Sequence, residues 1–261
     1  MPDIAIVASA FGAEAVRRDG HRAWIDTAVR AGAAGFEVRR ELFATPEQTE
    51  LASLCFLGSS ILNAGLWTVY STPDELFAED GTLNLRALRL ARDEAATLRA
   101  RIVKLQLGNF QGDAHAPGFA DEIAECVDGA PVRVVVENGQ LTKGGALAQF
   151  VELFQGLAAA GREGLVGMTF DVGNWLWAGE VPLDAATRLT PYVEYIHCKA
   201  VQGVNGRRFA VAPAPDDASF AQVLRRLPGN VPRGIEFPFD AREPNRIATE
   251  AGRYVEWLAA V

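Results

Sequence analysis

Eight times along the chain a short β-branched or apolar run gives way to a longer stretch with helical spacing, and this alternation restricts the fold more than any other feature. Strand, helix, strand in series builds a parallel sheet, because a parallel crossover consumes a dozen residues or more. The runs predict strands over residues 4–8, 35–39, 60–66, 102–107, 132–137, 167–171, 194–199 and 234–237. Helical patterns fall between and after them. Eight such units in 261 residues match a closed barrel. An open doubly wound sheet would carry fewer strands or a phosphate-binding fingerprint, and neither GxGxxG nor a P-loop is present. No linker, low-complexity tract or composition shift divides the chain. The expectation is one α/β domain spanning residues 1–261, a single (β/α)8 TIM barrel.

Local punctuation refines the helix starts. Thr45-Pro46-Glu47-Gln48 and Thr72-Pro73-Asp74-Glu75 each place a Thr before a Pro, with Gln or Glu three positions on, and read as capping boxes. Pro182 reads as the first-turn proline of a short helix through Leu189.

Hydrophobic residues make up 49% of the chain, enough for a full core. The net charge of −8 supplies no footprint for nucleic acid or an anionic membrane, so the expected partner is a small, neutral or metal-chelated molecule. The N-terminal residues lack the basic region and cleavage site of a signal peptide, no apolar run reaches spanning length, and the expected compartment is the cytoplasm. Cys55, Cys126 and Cys198 are too far apart for a zinc knuckle and read as small buried hydrophobes.

Chemistry concentrates at the ends of the last four predicted strands. Val-Val-Val-Glu137-Asn138, Thr-Phe-Asp171-Val-Gly-Asn174, Tyr-Ile-His197-Cys-Lys199 and Gly-Ile-Glu236-Phe each close an apolar run with a residue suited to a hard or borderline metal. In a barrel the C-terminal ends of neighbouring strands converge on one rim, so residues one unit apart in sequence surround a common point. A buried carboxylate without a partner is costly, and a shared cation removes that cost. Three carboxylates and one imidazole around a divalent ion give a net charge of −1 and suit Mn²⁺ or Mg²⁺, with Co²⁺ or Zn²⁺ as alternatives. A competing reading is an ion-pair network using Lys199 and Arg39.

These four motifs resemble the metal-binding strand ends of the xylose isomerase-like barrels, the sugar phosphate isomerase/epimerase group. The resemblance implies that Glu137, Asp171, His197 and Glu236 ligate one divalent ion, Mn²⁺ first, and that Glu137 and Glu236 move the proton from opposite faces of an enediolate. It implies an isomerase or epimerase of a ketose or related hydroxy-carbonyl compound. Dehydration or lyase chemistry of a keto-sugar or keto-acid from the same proton abstraction, and a non-catalytic metabolite-binding barrel, are the alternatives. By analogy with the group the chain is expected to form a homo-oligomer. Abasic-site endonucleases share the fold but ring several zinc ions with histidines, whereas this chain has only His21, His115 and His197.

Departures from the group's pattern fall around the ligands. Lys143 and Asn174 stand where the epimerase branch carries Glu and His, and His197-Cys-Lys199-Ala200 replaces His-x-Lys-Asp. Strand alternation puts Lys199 on the face of His197, and Glu37 on the face of Arg39. Lys199, Asn174, Glu37 and Arg39 are expected substrate contacts, and so is Trp67, which follows the third predicted strand as Trp175 and Trp177 follow the sixth, where an aromatic wall packs against the apolar face of a sugar. Lys143-Gly144-Gly145 and Arg207-Arg208 are weaker candidates for a phosphate.

Overall fold

The computed structural model describes residues 1–112 and 118–261, which leaves His115 outside the described residues. The chain opens with β1 (Ile4–Val7), α1 (Ala13–Asp19), α2 (Ile25–Arg30), β2 (Gly35–Arg39), α3 (Leu51–Asn63), β3 (Trp67–Phe77) and α4 (Leu85–Thr97). It continues through β4 (Ile102–Gly108), α5 (Phe119–Val127), β5 (Arg133–Glu137), α6 (Leu147–Ala159), β6 (Gly167–Asp171), α7 (Val172–Ala178) and α8 (Pro182–Leu189). The last elements are β7 (Val193–Cys198), the hairpin strands β8 (Ala200–Val204) and β9 (Arg207–Val211), α9 (Ala218–Arg226), β10 (Arg233–Ile235) and α10 (Pro244–Ala260).

Eight parallel strands close a ring in the order β1-β10-β7-β6-β5-β4-β3-β2, with helices outside: a single (β/α)8 barrel. Alternation along each strand sorts side chains into two populations. Outward residues such as Ile6, Phe36, Val38, Val136 and Phe170 pack under the helices in one large core. Inward residues fill the lower barrel with a small plug of Ala5, Trp67, Val69, Ile102, Val135 and Tyr195. Above that plug the inward positions become charged.

The expected third strand is wrong in position. Residues 60–66 form the last turn of α3 and the turn after it, and the strand starts at Trp67. Leu54, Leu57 and Ile61 are buried on one face of α3, the spacing of a helix, and Gly58 lets that helix approach the Leu98 carbonyl, where a Cβ would lie 2.1 Å away. Thr72-Pro73-Asp74-Glu75 opens no helix. It forms an irregularity in β3, where the register against β4 shifts between Ser71 and Glu75, and there Pro73 interrupts no regular ladder. Thr72 Oγ1 still accepts from the Asp74 amide at 3.1 Å, a local bond of the capping type in a bulged strand. Thr45 leads a 3-10 turn, Pro46–Thr49, without capping it, and Gln48 Oε1 accepts from the Ala44 amide. Pro182 does open α8. Arg207 and Arg208 lie in the exposed strand β9 of the hairpin rather than in a loop. Among the described residues no helix is long and apolar enough to cross a membrane.

Candidate metal centre

The C-terminal ends of β5, β6, β7 and β10 bring Glu137, Asp171, His197 and Glu236 together, with one donor atom from each lying within 4.8 Å of the others. Asp171 and His197 are fully buried, Glu137 nearly so, and Glu236 faces the mouth.

Each of the four is tethered through one atom and leaves another directed at the common centre. Glu137 Oε2 accepts from Lys104 Nζ and from Gln106 Nε2, both at 2.6 Å, leaving Oε1. Asp171 Oδ1 accepts from the Asn174 amide at 2.9 Å and so caps α7, leaving Oδ2. His197 Nε2 lies 2.8 Å from Glu37 Oε2, leaving Nδ1. Glu236 Oε1 accepts from Arg39 Nη1 at 2.5 Å, and Oε2, which faces the centre, accepts from Lys199 Nζ at 2.7 Å. Glu137 Oε1, Asp171 Oδ2 and His197 Nδ1 are buried without a well-formed hydrogen bond, although His197 Nδ1 stands 2.7 Å from Glu137 Oε1 and Lys199 Nζ 2.6 Å from Asp171 Oδ2. Buried polar atoms normally make well-formed hydrogen bonds, so three that crowd together without them mark a place for a ligand common to all. Three carboxylate oxygens and one imidazole nitrogen fit a divalent ion of the Mn²⁺ or Mg²⁺ type. A carboxylate on the far nitrogen of a ligating imidazole is the usual way to fix its tautomer.

Supporting bonds stitch the strand ends. Asn138, fully buried, receives the Asp171 amide on Oδ1 at 2.9 Å and donates Nδ2 to the Asp171 carbonyl at 3.0 Å, which locks β5 to β6. Asn174 Nδ2 donates to the Asn138 carbonyl at 2.7 Å. Gly234 in β10 pairs with His197 in β7 and leaves the space that the His197 and Tyr195 rings occupy.

The electrostatics are those of a closely balanced cluster. Burial would raise Glu37, but His197 and Lys104 hold it below its ordinary value. Burial likewise opposes ionisation of Glu137 and Glu236, yet both stay low, through Lys104 and His197 for the first and Lys199 and His197 for the second. Asp171 is raised, chiefly by burial, although Lys199 pulls the other way. Burial alone would lower the His197 imidazole, and the carboxylates of Glu37 and Glu236 outweigh it, holding it well above its ordinary value. Lys199 Nζ sits 2.6 Å from Asp171 Oδ2 and 2.7 Å from Glu236 Oε2, and these carboxylates raise it against burial.

Above the cluster opens a cavity of about 330 Å³, lined by Arg39, Gln106, Asn174, Lys199 and Glu236 among others. A larger open groove, about 830 Å³, follows α10 near Arg246 and Trp257 and gathers no such buried donors.

Of the expected substrate contacts, Arg39 and Lys199 line the cavity and Asn174 reaches its wall, although its side-chain Nδ2 already donates to the Asn138 carbonyl. Glu37 lies deeper, against His197. Trp67 is a correction: it begins β3 at the opposite end of the barrel, packed in the interior plug, with Arg101 5.6 Å over its ring. Gly35 leaves the room, since a Cβ there would come within 2.7 Å of the indole. The misplaced third strand had put this ring at the mouth. Trp177, by contrast, has its ring 5.6 Å from Lys199 Nζ. Lys143 reaches the rim and pairs with Glu79 and Glu75. The residue that sequence reasoning missed is Lys104, fully buried beside Glu137. Its signal was a lysine two positions before Gln106, both alternating with leucines in an apolar strand.

The chain matches no protein-family model and no curated protein. Solved structures do match over nearly the whole length. A xylose isomerase domain-containing protein from Salmonella typhimurium LT2 aligns with TM-score 0.70 at 12% identity, covering 98% of this chain and 96% of that one. D-psicose 3-epimerase from Clostridium cellulolyticum H10, solved with D-tagatose, aligns with TM-score 0.69 at 12% identity over 98% and 99%. An L-ribulose 3-epimerase aligns with TM-score 0.66 at 13% identity over 100% and 95%. At these identities the likeness establishes the fold, and it is the fold of the group that the strand-end motifs resemble.

Proposed function

We propose that the chain is a divalent-metal-dependent isomerase or epimerase of a small hydroxy-carbonyl compound. The observation that carries this is the tethering pattern: four strand-end side chains, each fixed through one atom, aim the other at a shared centre beneath an open cavity. The solved neighbours that are sugar 3-epimerases support the same reading. A bound Mn²⁺ or similar ion would polarise a carbonyl and its neighbouring hydroxyl and acidify the C–H between them.

The residues of the chain divide the remaining work. Glu236 lines the cavity and is placed to take the proton. Glu137, whose Oε2 is held by Lys104 and Gln106, is the second carboxylate of the proton transfer. Arg39 and Lys199 lie beside the cavity, where enediolate charge would develop. Asn138 and Asn174 keep the rim rigid. One observation favours a dehydratase or lyase as the second reading: the Lys199 ammonium at the cavity wall is placed to protonate a departing hydroxyl.

The test is metal content by mass spectrometry after Mn²⁺ loading and desalting. The wild type and Cys198→Ala should retain about one ion, and Glu236→Gln and Asp171→Asn far less. Full occupancy in both ligand variants would overturn the site. With the ion established, exchange of a substrate C–H for deuterium among ketoses separates catalysis from simple binding, and formation of a deoxy-keto product separates dehydration from isomerisation.

A further inference from the structure

Lys199 presents a difficulty that the metal reading does not resolve by itself. Its ammonium is nearly buried and is satisfied by Asp171 Oδ2 and Glu236 Oε2, the same two oxygens that an ion at the centre would take. The charges sharpen the point. Four carboxylates, Glu37, Glu137, Asp171 and Glu236, face three cations, Lys104, Lys199 and Arg39, with His197 among them. With a neutral ligating imidazole, a divalent ion adds two positive charges to this group and takes the oxygens that now neutralise Lys199. Glu41 pairs with Arg39 at 2.6 Å and offsets its charge, whereas Lys199, 5% exposed, pairs with the two oxygens that the ion would take. A buried ammonium stripped of both carboxylate oxygens is expensive unless a counter-charge arrives. The place for it is adjacent, because Lys199 and Arg39 both line the cavity of about 330 Å³. They already share one carboxylate, with Arg39 Nη1 at 2.5 Å from one oxygen of Glu236 and Lys199 Nζ at 2.7 Å from the other.

We infer that the substrate is a small monoanion, a 2-hydroxy or 2-keto carboxylate, rather than a neutral sugar, with its carboxylate held by Lys199 and Arg39 beside the ion. The inference rests on the metal-dependent reading above and narrows its substrate class. The cavity, near the lower end of the usual range for ligand sites, suits a short acid. Trp177, 5.6 Å from Lys199 Nζ, walls the ammonium on a side where it offers only a ring face, which leaves the anion to come from the cavity.

The experiment uses Mn²⁺-loaded, desalted protein and follows the Mn²⁺ electron paramagnetic resonance spectrum and the melting temperature. The titrants are glycolate, the neutral hydroxy-ketone hydroxyacetone, and inorganic phosphate. Glycolate should half-saturate the wild type at a concentration at least about tenfold lower than hydroxyacetone, a preference of about 1.4 kcal/mol. Lys199→Met should keep about one Mn²⁺ and lose that preference, and Lys199→Arg should keep it. Arg39→Gln serves as the second variant should Lys199→Met fold poorly, with the same loss expected. Equal response to glycolate and hydroxyacetone in the wild type, or an undiminished preference in folded Lys199→Met, overturns the inference while leaving the metal site standing. Phosphate acting as strongly as glycolate assigns the anion to a phosphoryl group and overturns the carboxylate. No Mn²⁺ retained by the wild type overturns the metal reading, and this inference with it, at the loading step.

Discussion

The backbone that carries the Arg39 guanidinium is held by a histidine outside the cluster. His21 Nε2 accepts the Arg39 backbone amide at 3.2 Å, while its ring packs on Phe43 with centroids 4.6 Å apart, so the end of β2 is pinned by a neutral imidazole. Burial lowers the His21 pKa to about 4. Between its unfolded value near 6.5 and that folded value the unfolded chain binds the extra proton, so the stabilisation is complete above about 6.5 and is lost as pH falls towards 4. A shift of that size corresponds to about 3 kcal/mol. Urea unfolding across this window should show wild-type stability falling with pH by about that amount relative to His21→Gln, whose amide oxygen can still accept from Arg39. Differencing against the variant removes the titrations of Asp171 and His197, which both proteins share. Parallel pH profiles would mean that His21 is already protonated, or solvated, in the folded chain.

At the scale of elements, β10 is three residues long and yet carries the seam of the barrel, pairing with β1 on one side and β7 on the other. A Cβ on Gly234 would come within 2.3 Å of Tyr195 Oη and 3.0 Å of His197 Cδ2. Gly234→Ala should therefore push the Tyr195 ring against His197, destabilise the fold by about 1–3 kcal/mol and weaken Mn²⁺ binding. Thermal melts with Mn²⁺ titration check both effects, and unchanged metal affinity would show that His197 is held by Glu37 alone. The strands that bear the ligands were legible in sequence because each ends a largely apolar run on a residue suited to a metal, as in Val134-Val135-Val136-Glu137. The third strand was not, because the apolar residues of α3 run almost without a break into Leu66 and Trp67, and Pro73 disguises the rest of β3 as a helix start. The hairpin from Ala200 to Val211 buries little and left no periodic signal. Lys104 was hidden for the opposite reason: a lone charge in an apolar strand reads as a surface position until the barrel closes around it.

For the whole molecule, the candidate ligands come from β5, β6, β7 and β10, which are consecutive in the ring, while β2 and β4 supply the side chains that tether them. An ion at the centre would cross-link half of the barrel directly and much of the rest through Glu37, Arg39 and Lys104. Unfolding separates these strands and destroys the site, so binding is linked to global stability. Mn²⁺ at one hundred times its dissociation constant should add about 2.7 kcal/mol. For a chain of this length that is a rise of roughly 5–10 °C in melting temperature. Calorimetry with Mn²⁺ and with chelator should show the rise and its reversal, and Asp171→Asn should show neither. The variant matters because exposed carboxylates also attract Mn²⁺, and only an ion lodged between the strand ends makes the melting of the barrel depend on Asp171. A shift that survives in the variant would place the ion elsewhere. A wild type that holds one Mn²⁺ without melting later would mean that the ion binds folded and unfolded chain alike, which a site assembled from four strand ends cannot do.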